Sequence, residues 1–258
     1  MSLNQKSTVE EQYRTPENLN TRISIHEKYS VNHQSFSNWI TSHYQIENGM
    51  RVLELGCGTG SMWAGKKELV SRCTELVLSD FSEGMLCQAQ KTLSEIQGIV
   101  YRTIDIQHIP YEDQSFDAVI ANMMLYHVPN LQKGLAEVKR VLKKGGTFYC
   151  ATYGEQGIMS YISSLFAQYG ITDSSNYSYT LQNGKSQLLT FFTEVRRYDY
   201  QDALAVTNLD DMADYIYSLT GMSKLRELPR EIILSVLAKH TQNGILYVPK
   251  EYGMFISK

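Results

Sequence analysis

The chain lacks the features that mark several common classes of protein. Its 258 residues include only four cysteines, with no Cys-x-x-Cys pair, and no histidine cluster at metal-ligand spacing. No stretch reaches the ~20 apolar residues of a membrane-spanning helix, and residues 1–20 lack the apolar core of a signal peptide. The sequence therefore predicts reduced thiols, no metal site, no membrane association and a cytoplasmic location.

A strong charge of either sign is also absent. The chain has 24 basic and 27 acidic residues, which give a formal net charge of −3. Such a balance provides no general attraction for the phosphates of a nucleic acid. Nucleic acid is therefore not a predicted partner, and the composition leaves the oligomeric state open.

Short apolar segments alternate with amphipathic ones, which predicts a parallel, doubly wound sheet. The predicted strands are 51–55, 75–79, 99–104, 116–121 and 147–152. A helix that carries Phe36, Trp39, Ile40 and His43 precedes these strands. Of the helices between them, the first runs from Ser61 to about Val70 and the second begins after an N-cap at Ser82. A third begins after an N-cap at Asn130 and is stopped by Gly145-Gly146. After residue 154 we predict helices at 158–169, 209–219 and 231–240 and strands at 195–205 and 252–257.

The most informative segment is Val-Leu-Glu-Leu-Gly-Cys-Gly-Thr-Gly at residues 52–60. An apolar strand runs into three glycines, Gly56, Gly58 and Gly60, which permit positive φ and close approach of a ligand to the backbone. The N–H groups of the following helix suit a carboxylate. A dinucleotide fingerprint requires glycine where Ser61 stands, and the Lys-Ser/Thr of a Walker A loop is missing. The loop thus predicts a nucleoside ligand without a pyrophosphate, and S-adenosylmethionine is the candidate.

Acidic residues follow the predicted strands at positions that suit such a ligand. Glu54, in an apolar strand, needs a partner such as the amino group of a bound amino-acid moiety. Asp80, twenty residues after Gly60, suits the ribose hydroxyls, with a helix cap or loop acid as the alternative. Asp105 suits the adenine amino group, and the alternative is a turn former.

Apolar residues beside these acids predict the adenine site. Phe81 and Met85 have the chemistry to sandwich the ring by stacking and by sulfur contact, and Ile106 to cover a ring face. The alternative for Phe81 and Met85 is an ordinary place in the core.

Four motifs in order resemble those of class I S-adenosylmethionine-dependent methyltransferases. They are residues 52–60, 80–86, 105–120 and 141–146, and the resemblance spans about residues 48–154. It is most similar to the small-molecule type, including the ubiquinone and menaquinone biosynthesis methyltransferases.

This resemblance implies a Rossmann-like α/β fold. Its sheet has seven strands in the order 3-2-1-4-5-7-6, with strand 7 antiparallel and helical cap insertions in the carboxy-terminal third. We expect a polar arm over residues 1–24 and a single methyltransferase domain over 25–258, in which 25–154 bind the cofactor and 155–258 form the substrate and cap half. The resemblance implies cofactor contacts from Tyr29, Glu54, Gly56, Cys57, Gly58, Gly60, Asp80, Phe81, Met85, Asp105, Ile106 and Asn122.

The predicted reaction is an in-line methyl transfer to a small molecule, which leaves S-adenosylhomocysteine. His127 is the candidate catalytic residue, with a backbone-bonding role as its alternative, and Tyr126 and Tyr153 join it in the predicted acceptor wall. Three other functions stay open: methylation of a protein, a non-enzymatic S-adenosylmethionine-binding module, and a nicotinamide-dependent oxidoreductase.

Overall fold

The computed structural model describes residues 24–219 and 222–258, so the predicted arm lies outside the described residues except for residue 24. The strands are β1 Met50–Leu55, β2 Cys73–Asp80, β3 Ile99–Thr103, β4 Phe116–Ile120, β5 Leu142–Tyr153, β6 Val195–Val206 and β7 Leu246–Ser257. The helices are α1 Phe36–Ser42, α2 Lys67–Ser71, α3 Glu83–Thr92, α4 Leu131–Val141, α5 Ile158–Leu165, α6 Gly184–Leu188, α7 Leu209–Ser218 and α8 Arg230–Ala238. Residues 24–29 are also helical.

The strands form one seven-stranded sheet in the order β3-β2-β1-β4-β5-β7-β6. The pairs β3-β2, β2-β1, β1-β4 and β4-β5 are parallel, and β7 is antiparallel. Beside β6 and β7, Glu194 and Lys258 exchange two backbone hydrogen bonds in the manner of an antiparallel pair. The predicted fold class is therefore confirmed.

The chain divides into two compact units. The first unit comprises residues 36–153, 178–198 and 253–258, and the described part of the second comprises 24–35, 154–177, 199–219 and 222–252. The division into cofactor and substrate halves at residue 154 stays a prediction. In the described part of the chain, no helix combines the length and apolar character needed to cross a membrane.

The core of the first unit lies on both faces of the sheet. All four residues 52–55 of β1 are buried, which explains why this strand reads as a nearly continuous apolar run. Helix α4 covers one face with the stripe of Leu135, Val138 and Val141, all of them fully buried. The apolar periodicity of this helix was thus a correct guide to its packing.

The predicted helix from Ser61 to about Val70 is wrong. A short 3-10 turn, Ser61–Trp63, follows the glycine loop, and α2 begins only at Lys67. The break arises because Gly65 takes a left-handed conformation with φ of 72°. No long helix therefore begins at the glycine loop, and the predicted contribution of its positive end to carboxylate binding is lost.

Several boundaries also differ from their predictions. Helix α4 ends at Val141, before the two glycines, because Leu142 already has an extended backbone and starts β5. Gly145, at φ of 81°, lies within β5 beside a register shift against β4. Strand β7 begins at Leu246 rather than 252, and α5 ends at Leu165, where a 3-10 turn replaces its last predicted residues.

Two glycines in the first turns of helices provide a test of this packing. A Cβ at Gly184 would lie 2.7 Å from Phe255 Cε2 and 3.0 Å from Tyr179 Cζ, both in buried rings, whereas one at Gly84 would meet nothing closer than Ser82 Oγ at 3.7 Å. We expect Gly184→Ala to lower the free energy of unfolding by about 1–3 kcal/mol, because the rings have to shift. The control Gly84→Ala should leave it unchanged or slightly higher. Urea denaturation of both variants checks this, and equal effects would contradict the described packing.

Candidate active site

The candidate site lies at the carboxyl ends of the parallel strands in the first unit. The register pairs Glu54 of β1 with Leu78 of β2 and with Ile120 of β4. Asp80 and Asn122, each two residues beyond these partners, therefore lie at the same edge of the sheet as Glu54. Open α/β sheets bind ligands at this edge.

The glycine loop has the conformation that its sequence predicts. Gly56, Gly58 and Gly60 have φ of 71°, 55° and 73°. A Cβ on Gly56 would lie 2.9 Å from Met124 Cγ, and one on Gly60 would lie 2.9 Å from Leu93 Cδ1. A Cβ on Gly58 would meet nothing within 4 Å. The outer glycines thus allow close packing, while the backbone at Gly58 borders open space.

Asp80 connects the glycine loop to the start of α3. Its Oδ2 accepts the backbone N–H of Gly58 at 2.9 Å, and its Oδ1 accepts that of Ser82 at 2.9 Å. Burial raises the pKa of Asp80, although these backbone N–H groups counteract the rise. Asp80 thus has the role of a loop acid, which was the alternative to the ribose contact in the sequence analysis. The backbone N–H of Phe81 bonds the carboxylate as well, and with the lone-pair capacity that remains the ribose contact stays a prediction. The cap at Ser82 is confirmed, because its Oγ accepts the N–H of Met85.

Glu54 has a buried carboxyl group with neutral hydrogen-bond partners. Glu54 is only 2% exposed, and its Oε2 accepts the indole N–H of Trp63 at 2.6 Å. The neighbouring Asn122 side chain also favours the carboxylate and counteracts part of the rise in its pKa. Burial raises the pKa of Glu54 to about 7, and the nearby Asp80 adds to the rise. Within residues 24–219 and 222–258 no lysine, arginine or histidine pairs with Glu54.

Asn122 links this carboxyl to a second buried group. Its Nδ2 donates to the Tyr44 hydroxyl at 2.7 Å, and its Oδ1 accepts the N–H of Ala151 at 3.2 Å. The following residue, Met123, has φ of 54°, a left-handed conformation that is uncommon outside glycine. The predicted contact between the backbone at Asn122 and the cofactor stays a prediction.

Sequence reasoning missed Trp63 and Tyr44. A buried tryptophan needs an acceptor for its N–H, and Glu54 is an acid nine residues earlier. The predicted helix from Ser61 to about Val70 included Trp63 and gave no sign of the turn that brings its indole to Glu54. Tyr44 comes from the segment after α1, and its spacing carries no sign of the contact with Asn122.

The residues predicted to hold adenine differ in their exposure. Phe81 is 38% exposed, so its alternative as a core residue is wrong, and Met85 is half-buried. Ile106 is only 4% exposed and faces Gly134. Asp105 Oδ1 accepts the N–H of Gln107 at 2.8 Å, as the alternative of a turn former supposed. The contacts of these four residues with adenine stay predictions.

The three residues predicted for the acceptor wall lie together. The ring centroids of Tyr126 and His127 are 4.5 Å apart, and those of Tyr126 and Tyr153 are 4.6 Å apart. Burial lowers the pKa of His127 to about 4. The imidazole is therefore neutral at neutral pH and has the protonation state that a general base needs.

Two further predicted residues have contacts of their own. Tyr29 belongs to the second unit, where its hydroxyl donates to Asp211 Oδ2 at 2.5 Å. Cys57 is buried in the glycine loop, its N–H donates to the Ser79 carbonyl at 2.8 Å, and burial raises the pKa of its thiol. Their contacts with a cofactor stay predictions.

The chain is similar to known methyltransferases and to a solved structure. Residues 53–150 match a family model described as a methyltransferase domain. A demethylmenaquinone methyltransferase of Staphylococcus aureus is 30% identical over 132 residues, which cover 51% of this chain and 53% of that protein. A ubiquinone/menaquinone biosynthesis C-methyltransferase of Xanthomonas oryzae is 33% identical over 117 residues, which cover 44% and 46%. The chain spans about half the length of these curated relatives.

The YcgJ protein of Bacillus subtilis shares the fold. The similarity covers 87% of this chain and 97% of that chain, with a TM-score of 0.58 and 17% sequence identity. At this identity the likeness concerns the fold alone.

The buried carboxyl of Glu54 leads to a prediction about pH and stability. Its pKa rises from 4.5 to about 7 on folding, so between these values the folded state holds a proton that the unfolded state has released. Relative to Glu54→Gln, the ligand-free protein should lose on the order of 3 kcal/mol of unfolding free energy as the pH rises through this window, and no more above it. Urea denaturation from pH 4.5 to 8 checks this, and parallel curves for the two proteins would contradict it.

Proposed function

We propose that this chain, whose residues 53–150 match a family model described as a methyltransferase domain, binds S-adenosylmethionine and transfers its methyl group to a small-molecule acceptor. The product of the donor is S-adenosylhomocysteine. The resemblance drawn from the sequence motifs agrees with the family model and with the names of the curated relatives. The donor, the acceptor and the roles of individual residues form the proposal.

The observation that carries the proposal is the buried Glu54 carboxyl beside the open glycine loop. An ionised carboxylate is costly to bury unless a cation or donors compensate it. Its partners, Trp63 and Asn122, are neutral. The ammonium of the ligand's amino-acid end supplies the missing positive charge in this proposal, and the backbone at Gly58 leaves room for a ligand beside the loop. These residues therefore fit the methionine portion of the cofactor.

The neighbouring strand ends fit the nucleoside portion. Asp80 offers its remaining lone pairs to the ribose hydroxyls while its present bonds keep the loop in place. Phe81 has an exposed ring, and Met85 follows in the first turn of α3. Asp105 lies after β3, next to β2 in the sheet. This order of side chains matches the order of ribose and adenine along the sheet edge.

A bound donor supplies an activated methyl group on its sulfonium. The chain's own residues align the acceptor and exclude water. Tyr126 and Tyr153 offer ring faces to a flat acceptor, and the neutral His127 accepts a proton from it where the reaction requires this. We propose an aromatic acceptor of quinol type, since the names of the relatives refer to menaquinone and ubiquinone biosynthesis.

The predicted cytoplasmic location is part of this proposal. The four cysteines are all free thiols, and free thiols persist in reducing compartments.

Calorimetry with S-adenosylhomocysteine tests the donor site. The wild-type protein should bind it, and Asp80→Ala should weaken binding by roughly 1–3 kcal/mol, because the aspartate both holds the loop and accepts the ribose hydroxyls. Asp113→Ala is the control, since Asp113 is an exposed aspartate that pairs with Arg140. Absence of binding to the wild-type protein would refute the proposed donor. A parallel titration with NADH, followed by fluorescence, distinguishes the oxidoreductase alternative.

Turnover with labelled S-adenosylmethionine tests the acceptor wall. A panel of quinols and phenols should contain a labelled product, and His127→Gln should then lower turnover about a hundredfold or more if it takes the acceptor's proton. Its affinity for S-adenosylhomocysteine should remain that of the wild type. Equal losses in turnover and affinity would place His127 in the donor site instead. Label in protein but in no small molecule would favour the protein-methylating alternative.

A further inference from the structure

We propose that Trp63 is a positioning residue for Glu54, which it holds in the orientation that receives the ammonium group of the ligand's amino-acid end. This inference rests on the function proposed above. Trp63 itself is fully buried and acts through the carboxylate.

The contact between the two side chains is short and buried. Trp63 is fully buried, and its Nε1 lies 2.6 Å from Glu54 Oε2. A hydrogen bond to an ionised carboxylate is shorter and stronger than one to a neutral acceptor. An indole nitrogen is a donor only, so this bond favours the ionised carboxylate over the acid.

The backbone after the glycine loop explains the direction of the indole. The N–H of Trp63 donates to the Gly60 carbonyl at 3.0 Å, which closes a single 3-10 turn. Ala64 then leaves the turn with an extended backbone, and Gly65 reverses the chain before α2 begins. The break in the expected helix thus turns the indole toward Glu54.

A second neutral side chain favours the carboxylate from another element. Asn122 lowers the pKa of Glu54, and is itself fixed by Tyr44 and by the Ala151 N–H. The titratable groups that affect Glu54 or respond to it are Asp80 from β2, Cys57 from the loop and Tyr44 from the segment after α1. All three are acids, so none supplies a positive charge. The hydrogen bond that orients the carboxylate therefore comes from the neutral Trp63 indole.

Proton release connects this geometry to a measurement. The pKa of Glu54 is about 7, so near neutral pH part of the ligand-free protein carries a proton on this carboxyl. Binding of the ammonium group favours the carboxylate, and the displaced proton passes to the buffer. Loss of the Trp63 N–H should raise the pKa of Glu54 further, and binding should then require a more alkaline pH.

The two tryptophans of the chain provide a matched pair of variants. Trp63→Phe removes the N–H and keeps an aromatic ring, while Trp39→Phe alters a half-buried indole on α1 that stacks on Phe36. At pH 7.5 we expect Trp63→Phe to weaken S-adenosylhomocysteine binding about 10-fold, as for loss of a hydrogen bond to a charged group. Binding of 5′-methylthioadenosine, which lacks the amino-acid end, should not change. Trp39→Phe should bind both ligands as the wild type does.

Calorimetry from pH 6 to 8.5 measures how the affinity for S-adenosylhomocysteine depends on pH. A merely structural role of Trp63 would leave this pH dependence unchanged. The wild-type affinity for S-adenosylhomocysteine should rise with pH to a plateau above about 7, and Trp63→Phe should shift the midpoint upward by about one pH unit. In buffers of different ionisation enthalpy, the wild type should release protons below the midpoint, and Glu54→Gln should release none.

The Trp39→Phe variant also gives a test that keeps the Trp63 side chain. Its single indole should change its emission with a midpoint near pH 7, and S-adenosylhomocysteine should lower that midpoint. The change should vanish when Glu54→Gln is added. A pH-independent emission would overturn the inference, as would equal weakening of both ligands by Trp63→Phe. Absence of binding to the wild type would instead refute the proposed donor, while the ligand-free titration still tests the contact.

Discussion

The burial of the Glu54 carboxyl at the end of β1 is the constraint on which the rest of the site depends. An acid at this depth has to be compensated, and the structure provides an indole N–H from Trp63 and an amide from Asn122. Both donors are neutral, and the nearest acid, Asp80, opposes ionisation. In the function proposed above, the remaining compensation comes from the positively charged amino-acid end of the bound ligand.

Much of the sheet was predictable because two independent signals agreed there. Buried parallel strands read as apolar runs, and the turn residues after them mark where they end. The stripe of α4 and the cap at Ser82 followed the same logic. The errors occurred where glycine changed the backbone locally. Gly65 divided an expected helix, and Gly145 lies at a bulge within β5, where the sequence alone indicated a helix end.

The site was predictable in part, and the limit has a physical reason. Glu54 and Asp80 could be found because an acid beside an apolar strand is costly without a function. Tyr44 and Trp63 could not, because the contact of Tyr44 with Asn122 joins segments 78 residues apart, and that of Trp63 depends on the 3-10 turn that replaces the expected helix. Tyr126, His127 and Tyr153 were grouped by their positions after adjacent strands, and their rings do lie together. Their other contacts depend on the acceptor, and the position of a residue at the end of a strand does not identify the acceptor.

The two acids of the site, Asp80 and Glu54, differ in the kind of hydrogen-bond donor that holds each carboxylate. Backbone N–H groups hold Asp80, so its compensation is built into the loop and persists through any change of ligand. Side chains hold Glu54, so its compensation varies with their packing and with the charge above it. A carboxyl with a pKa near 7 responds to that charge by gaining or losing a proton, whereas a carboxyl with its usual pKa would stay ionised in both states. We therefore propose Glu54 as the group at which ligand charge, proton binding and the stability of the first unit are coupled.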